Sequence, residues 1–419
     1  MLTTILGGVG LFLLGMLLMS DGLKAAAGEA LRDVLGRFTG GPVQAFLSGA
    51  ALTALVQSSS ATIVTTIGFV SAGLLAFPQA VGVVFGAAVG TTSTGWLVAF
   101  LGLRLSISAF GLPLVGVGAL LRLLGRGRLV ALGAVLAGLG LIFVGIDTLQ
   151  AGMELLSGRF DLARFDGEGV GARLLLVLVG TVMTVVMQSS SAAVATTLAA
   201  LAAGTLSLEQ AAALVIGQNT GASVPALLAS IGAAAPARRT AAAHVVLNTA
   251  SGVLALLLLP LWLGALRPLA AHLGAPGAIA VFHTGFTLVG VLLLLPVTGR
   301  FAAFIARRVP ERGPALTRNL DVTAYGVGPV AVEAARRTVR EIAATLFDAV
   351  AERLAGGRSA SAAAHVDQAI TAADAALDET RAFLAGVHTS PDAGPSHARH
   401  LGVLHAIDHL ERLVVAIRR

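Results

Sequence analysis

Hydrophobic residues run through the first 299 positions in long blocks separated by short polar turns. From Pro42 to Leu121 the only charged side chain is Arg104, and from Leu174 to Ala237 the only one is Glu209. Each block is longer than the roughly 20 apolar residues that one bilayer crossing needs, so the pattern predicts several membrane helices. Leading helices are expected at about 3–22 and 129–152, and closing helices at 244–263 and 278–295. The pattern changes beyond residue 300. Val339, Ile342, Leu346, Val350 and Leu354 recur at three-to-four spacing, as do Val366, Ile370, Leu377 and Leu384, then Leu401, Leu404, Leu410, Val414 and Ile417. Gly356-Gly357 and the Pro391, Gly394, Pro395 run separate these stretches. They predict a soluble antiparallel three-helix bundle over 330–419, reached through a proline- and arginine-rich linker at 300–329.

The membrane part contains itself twice. QSSSATIVTTIGFVSAGLL from Gln57 aligns with QSSSAAVATTLAALAAGTL from Gln188, with ten identities in 19 positions at an offset of 131 residues. GAAVGTTST from Gly86 falls on GQNTGASVP from Gly217 at the same offset, and LFLLGMLLMSDG ending at Gly22 matches LIFVGIDTLQAG ending at Gly152. A repeat of this length is too long for a solenoid unit and suits half of a transporter, with two copies facing each other around a shared site. The copies span about 3–125 and 129–266, and the closing helices occupy 240–298. The expected fold is an all-α polytopic membrane domain (1–299) of two inverted repeats, followed by the helical tail.

Composition agrees with this division. The chain is 56% hydrophobic and 12% charged, with a mean hydropathy of +0.87. From Arg300 onward there are 15 arginines and 13 acids, so the two signs nearly cancel and the net charge of +6 does not indicate nucleic acid. With no cysteine, disulfides and thiolate chemistry are excluded. The membrane region holds no convergent acid, base and nucleophile, so no enzyme is expected. Arg122, Arg126 and Arg128 in one loop, and Arg300, Arg307, Arg308 and Arg312 after the last apolar block, place the tail in the cytoplasm by the bias of basic loops.

Gln57, Ser58, Ser59 and Ser60, with Gln188, Ser189, Ser190 and Ser191, bring neutral oxygens and amide donors into hydrocarbon without an ionisable group. A lone serine there usually packs helices, but a Gln-Ser-Ser-Ser run repeated at fixed offset points to a helix broken in mid-membrane. Helix N-termini at such a break favour an anion, and carbonyls and hydroxyls favour a small cation such as sodium. Thr65, Thr66, Thr196 and Thr197 extend the hydroxyl lining. Thr91, Thr92, Asn219, Thr220 and Ser223 in the glycine-rich segments form the facing wall. Because these motifs contain no arginine or lysine, the charge of an anionic cargo has to be balanced by co-bound cations and helix dipoles.

At these residues the chain closely resembles the type II sodium-dependent phosphate cotransporter family, in its bacterial branch ending in a PhoU-like domain. The resemblance covers about residues 1–300, including HVVLN at 244–248 and FHTGFT at 282–287. It implies re-entrant hairpins carrying the QSSS runs, and inorganic phosphate moved with sodium ions across the cell membrane. The family pattern G-A-N-I-G-T-[TS]-x-T is altered here at Ala88, Gln218, Thr220, Ala222 and Pro225, and Thr287 stands where asparagine is frequent. The same donors also suit another oxyanion or a small carboxylate, and a non-transporting sensor signalling through the tail is the rival of a different class. A homo-oligomer and a cytoplasmic partner for the tail are compatible with this reading. Asp147 is expected at a helix end, and His244 and His283 as structural histidines. Asp374 and Asp378 form a D-x-x-x-D pair of the kind PhoU-like domains use for metal, against the plainer reading of a solvated face.

Overall fold

The structure, a computed structural model, describes the chain except residues 37–40, 105–109, 158–168, 232, 311–315, 322–323, 326–327, 356–359, 390–394 and 419. Among the described residues regular structure is helical, with no strand. The first copy comprises α1 (Leu2–Gly36), α2 (Pro42–Val56), α3 (Ser59–Ser71), α4 (Phe77–Thr91), the short α5 (Ser93–Trp96), which continues as a π-helical segment, and α6 (Gly111–Leu124). The second comprises α7 (Arg128–Ser157), α8 (Val170–Met187), α9 (Ser190–Ala202), α10 (Leu208–Gly221) and α11 (Val224–Ala229). Then follow α12 (Ala235–Leu257), α13 (Leu259–Leu294), α14 (Thr298–Arg308), α15 (Gly328–Leu354), α16 (Ala360–Ala385) and α17 (Pro395–Arg418). The repeat holds at the level of elements, since α3 and α9 begin and end 131 residues apart.

Among the described residues seven helices are long and apolar enough to cross a membrane, and α8 turns Leu174, Leu178, Val182 and Val186 outward. Such faces need lipid rather than water, which makes the chain a multi-pass membrane protein. The last apolar run, Leu259–Arg308, is far too long for one crossing, and Gly274 breaks α13 with φ 76° between Pro268 and Pro276. With 15, 13 and 13 residues, α2, α3 and α9 are each short of a crossing. Asp147 lies within α7, not at its end. The stretch expected to be linker begins as helix, α14. Arg312, Gly356, Gly357, Pro391 and Gly394 lie outside the described residues.

Two compact units divide the chain. The first comprises Met1–Ile63, Val81–Leu228 and Ala242–Phe301, with Phe12, Ile142, Ile146, Leu198, Phe282 and Phe286 in its core. Its leading helices meet along glycines seven residues apart, Gly8, Gly15 and Gly22 on α1 and Gly138, Gly145 and Gly152 on α7. A Cβ at Gly15 would stand 2.7 Å from both Gly138 O and Ile142 N. Only glycine lets the two backbones come this close. Gly8 faces Leu149 while Gly22 faces Ala131 and Val135, so α1 and α7 run antiparallel.

The second unit comprises Val64–Ala80, Ala229–Ala241 and Ala302–Arg419, so it takes in two stretches that a division at residue 300 would leave with the membrane domain. Helices α15, α16 and α17 bury Ile342, Leu346, Ile370, Leu377, Ile407 and Val414 together, whereas Leu354 and Leu401 are exposed. Ala72 is buried in this core, with Phe69 and Leu74 packed against it. Asp321, itself buried, accepts from Ser71 Oγ at 3.3 Å and from the Ala234 N–H at 2.9 Å, and Arg337 Nη1 donates to Gly73 O at 2.7 Å. The α3–α4 turn is therefore built into the core of the helical tail.

Gly15→Ala and Gly138→Ala should each lower the midpoint of thermal unfolding in detergent, because backbone has to move; overpacking of this kind costs about 1–3 kcal/mol. Gly10→Ala, with open space around the added carbon, should leave the midpoint unchanged or raise it.

Candidate binding site

Each QSSS run is a helix end, a break and a helix start. Gln57 closes α2 at φ 56°, ψ 31°, and Gln188 closes α8 at φ 50°, ψ 22°; among the described residues these are the only non-glycine positions with positive φ. A glutamine held in the left-handed region costs on the order of 1–2 kcal/mol, and the same strain at both equivalent positions makes the breaks candidates for function. Each glutamine caps its own helix, since Gln57 Nε2 donates to Ala54 O and Gln188 Nε2 to Val185 O. The first serine caps the next helix. Ser58 Oγ accepts from the Ala61 N–H and Ser189 Oγ from the Ala192 N–H, both at 3.2 Å. Ser59 and Ser60, with Ser190 and Ser191, occupy the first turns of α3 and α9, where backbone N–H groups have no partner within the helix.

All eight QSSS residues line one cavity of about 380 Å³. Thr184, Ala222 and Pro225 contribute to its wall, and α1 adds Leu13, Met16, Leu17, Ser20 and Lys24. Two helix N-termini and their hydroxyls border a single space, an arrangement suited to an anion. A second cavity of about 10 Å³, close to the volume of one small ion or water, is lined by Ser59, Thr91, Ser190, Asn219, His244, Asn248 and His283, with Ala88 and Ala222. Asn248 Nδ2 and His244 Nε2 lie 3.0 Å apart. Asn219 Nδ2, Asn248 Oδ1, and Nδ1 of both His244 and His283 are buried there without a protein partner. Unpaired polar atoms around a space this small are what a hydrated ion or water would satisfy.

The two breaks are tied together through Thr94. Its hydroxyl donates to Gln57 Oε1 at 2.9 Å and lies 3.1 Å from Ser191 Oγ, while Gln57 Nε2 also donates to Ser93 Oγ at 2.8 Å. At the equivalent positions of the second copy stand Val224 and Pro225, which carry no hydroxyl for Gln188.

The rest of the expected wall is different in kind. Gly86 and Gly90 press α4 against Phe46, Ala50 and Thr53 of α2, and Gly217 and Gly221 press α10 against Val177, Thr181 and Thr184 of α8, so these glycines serve packing. Thr92 joins a chain of donors from Trp96 Nε1 through Thr284 Oγ1 to Thr92 Oγ1 and Val89 O. Thr220 and Ser223 donate to Ile216 O and Thr220 O. Thr196 donates to Ala192 O, and Thr197 accepts from the buried amide of Gln218; both border a separate apolar cavity. Thr65 and Thr66 belong to the second compact unit and line neither polar cavity. The hydroxyls of Thr92, Thr196, Thr220 and Ser223 are spent on helix carbonyls. In the tail Asp374 pairs with Arg418 at 2.8 Å, and among the described residues no cluster of three or more His, Asp or Glu could hold a metal.

The sequence pattern of the Na+/Pi-cotransporter family matches residues 11–151 and 160–293. The chain belongs to the Na+/Pi-cotransporter family. Among curated relatives of this family member, "Uncharacterized protein YqeW" of Bacillus subtilis is 33% identical over 304 residues, which cover 72% of this chain and 96% of that protein. "Putative inorganic phosphate export protein YjbB" of Escherichia coli K12 is 32% identical over 345 residues, which cover 80% of this chain and 62% of that longer protein. No solved structure matches this Na+/Pi-cotransporter family chain.

Ser20 and Lys24 line the larger cavity, His244, Asn248 and His283 line the smaller one, and Thr94 bonds across the breaks, none of which the QSSS and glycine-rich motifs reveal. The signal for the first two is periodicity, because Leu13, Met16, Leu17, Ser20 and Lys24 fall on one helical face. Gln57→Ala should destabilise the protein more than Gln188→Ala, by about 1–2 kcal/mol, because it also removes the hydrogen bonds to Ser93 and Thr94. Paired denaturation midpoints in one detergent check this difference.

Proposed function

We propose that this phosphate transporter family member is a secondary transporter that binds inorganic phosphate between the two QSSS breaks and moves it together with sodium. The observation that carries the reading is the single cavity bordered by both serine runs at the starts of α3 and α9. Phosphate, with its negatively charged oxygens, is matched by hydroxyl donors and helix N-termini. Sodium is assigned to the smaller cavity, where Ser59, Thr91 and Ser190 offer hydroxyl oxygens and Asn248 an unpaired carbonyl. Hard cations of this size prefer such neutral oxygens.

Inverted copies give the mechanism its symmetry. The antiparallel packing of α1 on α7 supports that topology, and rocking of one copy against the other would open the shared site to each side in turn. Coupling makes direction follow the sodium gradient, so high external sodium drives phosphate inward through the same site. YjbB is named as an exporter; in a coupled carrier, reversed gradients give that direction. The arginines of α14 support a cytoplasmic tail.

Labelled phosphate should accumulate in proteoliposomes under an inward sodium gradient and fail to do so when choline replaces sodium; sodium-independent accumulation would refute the coupling. Ser59→Leu and Ser190→Leu should each reduce uptake at least a hundredfold while the protein remains folded by circular dichroism. Competition by sulfate or a dicarboxylate as strong as that by arsenate would reassign the cargo.

A further inference from the structure

Resting on the transport reading above, we propose that Lys24 is a fixed counter-charge for the bound anion, and that Ser20 one turn earlier is an additional ligand. Lys24 is the only lysine in a chain with 27 arginines, and among the described residues it is the only charged one that lines the larger cavity. It therefore supplies a positive charge that the QSSS motifs lack. Ser20 lines the same cavity, is buried to 6% exposure, and its hydroxyl has no protein partner. A buried hydroxyl left unpaired beside a cavity is a donor held for an occupant.

Lys24 stands at the edge of the cavity in one position, and the proposal gives it a second. Its ammonium lies 3.2 Å from Asp21 Oδ1, with the two side chains 40% and 71% exposed. Asp21 is not among the residues that line the cavity, so the pair holds the ammonium at the cavity's border without closing it off. The flexible four-carbon stem then allows the compact charge to turn into the cavity, which the rigid planar fork of arginine does less readily. Phosphate entering between two neutral serine runs would otherwise be balanced only by helix N-termini and co-transported cations. Lys24 balances one of its charges from the protein itself, favouring an oxyanion of more than one negative charge over a monovalent one.

The uniqueness of this lysine permits a direct test on the full chain. An amine-reactive reagent should modify Lys24, mapped by mass spectrometry, and inorganic phosphate should slow that modification at least threefold relative to chloride at equal ionic strength. In proteoliposomes Lys24→Gln should raise the phosphate KM roughly tenfold with little loss of maximal rate, and Lys24→Arg should bring KM back within about threefold of the unsubstituted protein. A lysine that merely supports the helix would lower the rate or the yield without moving KM and without rescue by arginine, which would overturn the proposal. Labelling that phosphate does not slow, in a protein that transports phosphate, overturns it too and leaves the transport reading standing. If the unsubstituted protein carries no phosphate at all, both readings fall.

Discussion

Two left-handed glutamines impose the conditions that the rest of the membrane unit meets. A helix stopped at Gln57 or Gln188 leaves carbonyls facing one way, and the helix starting two residues later leaves N–H groups facing the other. Such groups need polar company, and both breaks border one cavity. The glutamine amides and first serines answer part of the demand locally. What remains, the first turns of α3 and α9, is the part available to a passenger. The glycine contacts of α4 on α2 and of α10 on α8 are needed for the same reason, since they close the protein tightly behind each break.

Membrane character, duplication and the QSSS runs were legible from residues alone, because a long apolar block and an exact repeat of Gln-Ser-Ser-Ser leave few alternatives. The role of the partner segments was not. GAAVGTTST and GQNTGASVP mix glycines that pack helices with hydroxyls that bond their own helix, and sequence cannot say whether a threonine faces a cavity or its own i−4 carbonyl. Thr91 faces the small cavity even while it donates to Ala87 O, whereas Thr220, with the same kind of bond, lines neither cavity. His244, Asn248 and His283, read as parts of the closing helices, were not placed at a cavity for another reason. They come from α12 and α13, over fifty residues from either QSSS run, and only tertiary packing brings them beside Ser59 and Ser190. Lys24 was hidden within a leading helix whose apolar stripe reads as core.

The two copies share a plan and divide the work unequally. In the first, Gln57 is tied to Ser93 and Thr94, and Thr94 in turn reaches Ser191 of the second copy. In the second, the matching positions are Val224 and Pro225, and Gln218 instead clamps α10 to α9 through Ala193 O and Thr197. The brace that spans both breaks thus comes from the first copy, and the second copy has no counterpart to it. A carrier whose halves exchange roles during a cycle acquires a preferred resting arrangement from such a difference, because identical halves would have equal energies in the two opposed states.

The turn after α3 carries the inequality further. Ser71, Gly73 and their apolar neighbours are held by Asp321, Arg337 and the core of the helical tail, whereas around Gly204, at the equivalent place in the second copy, nothing approaches within 4 Å of where a side chain would begin. Mutation at the second turn is answerable to its own copy alone, but at the first it must also satisfy a hundred residues added downstream. A chain cut back to its membrane helices would not be a smaller version of the same carrier. It would expose Phe69, Ala72 and Leu74 and remove the acceptor of Ser71, leaving a sticky edge that invites aggregation or the capture of a neighbour's tail.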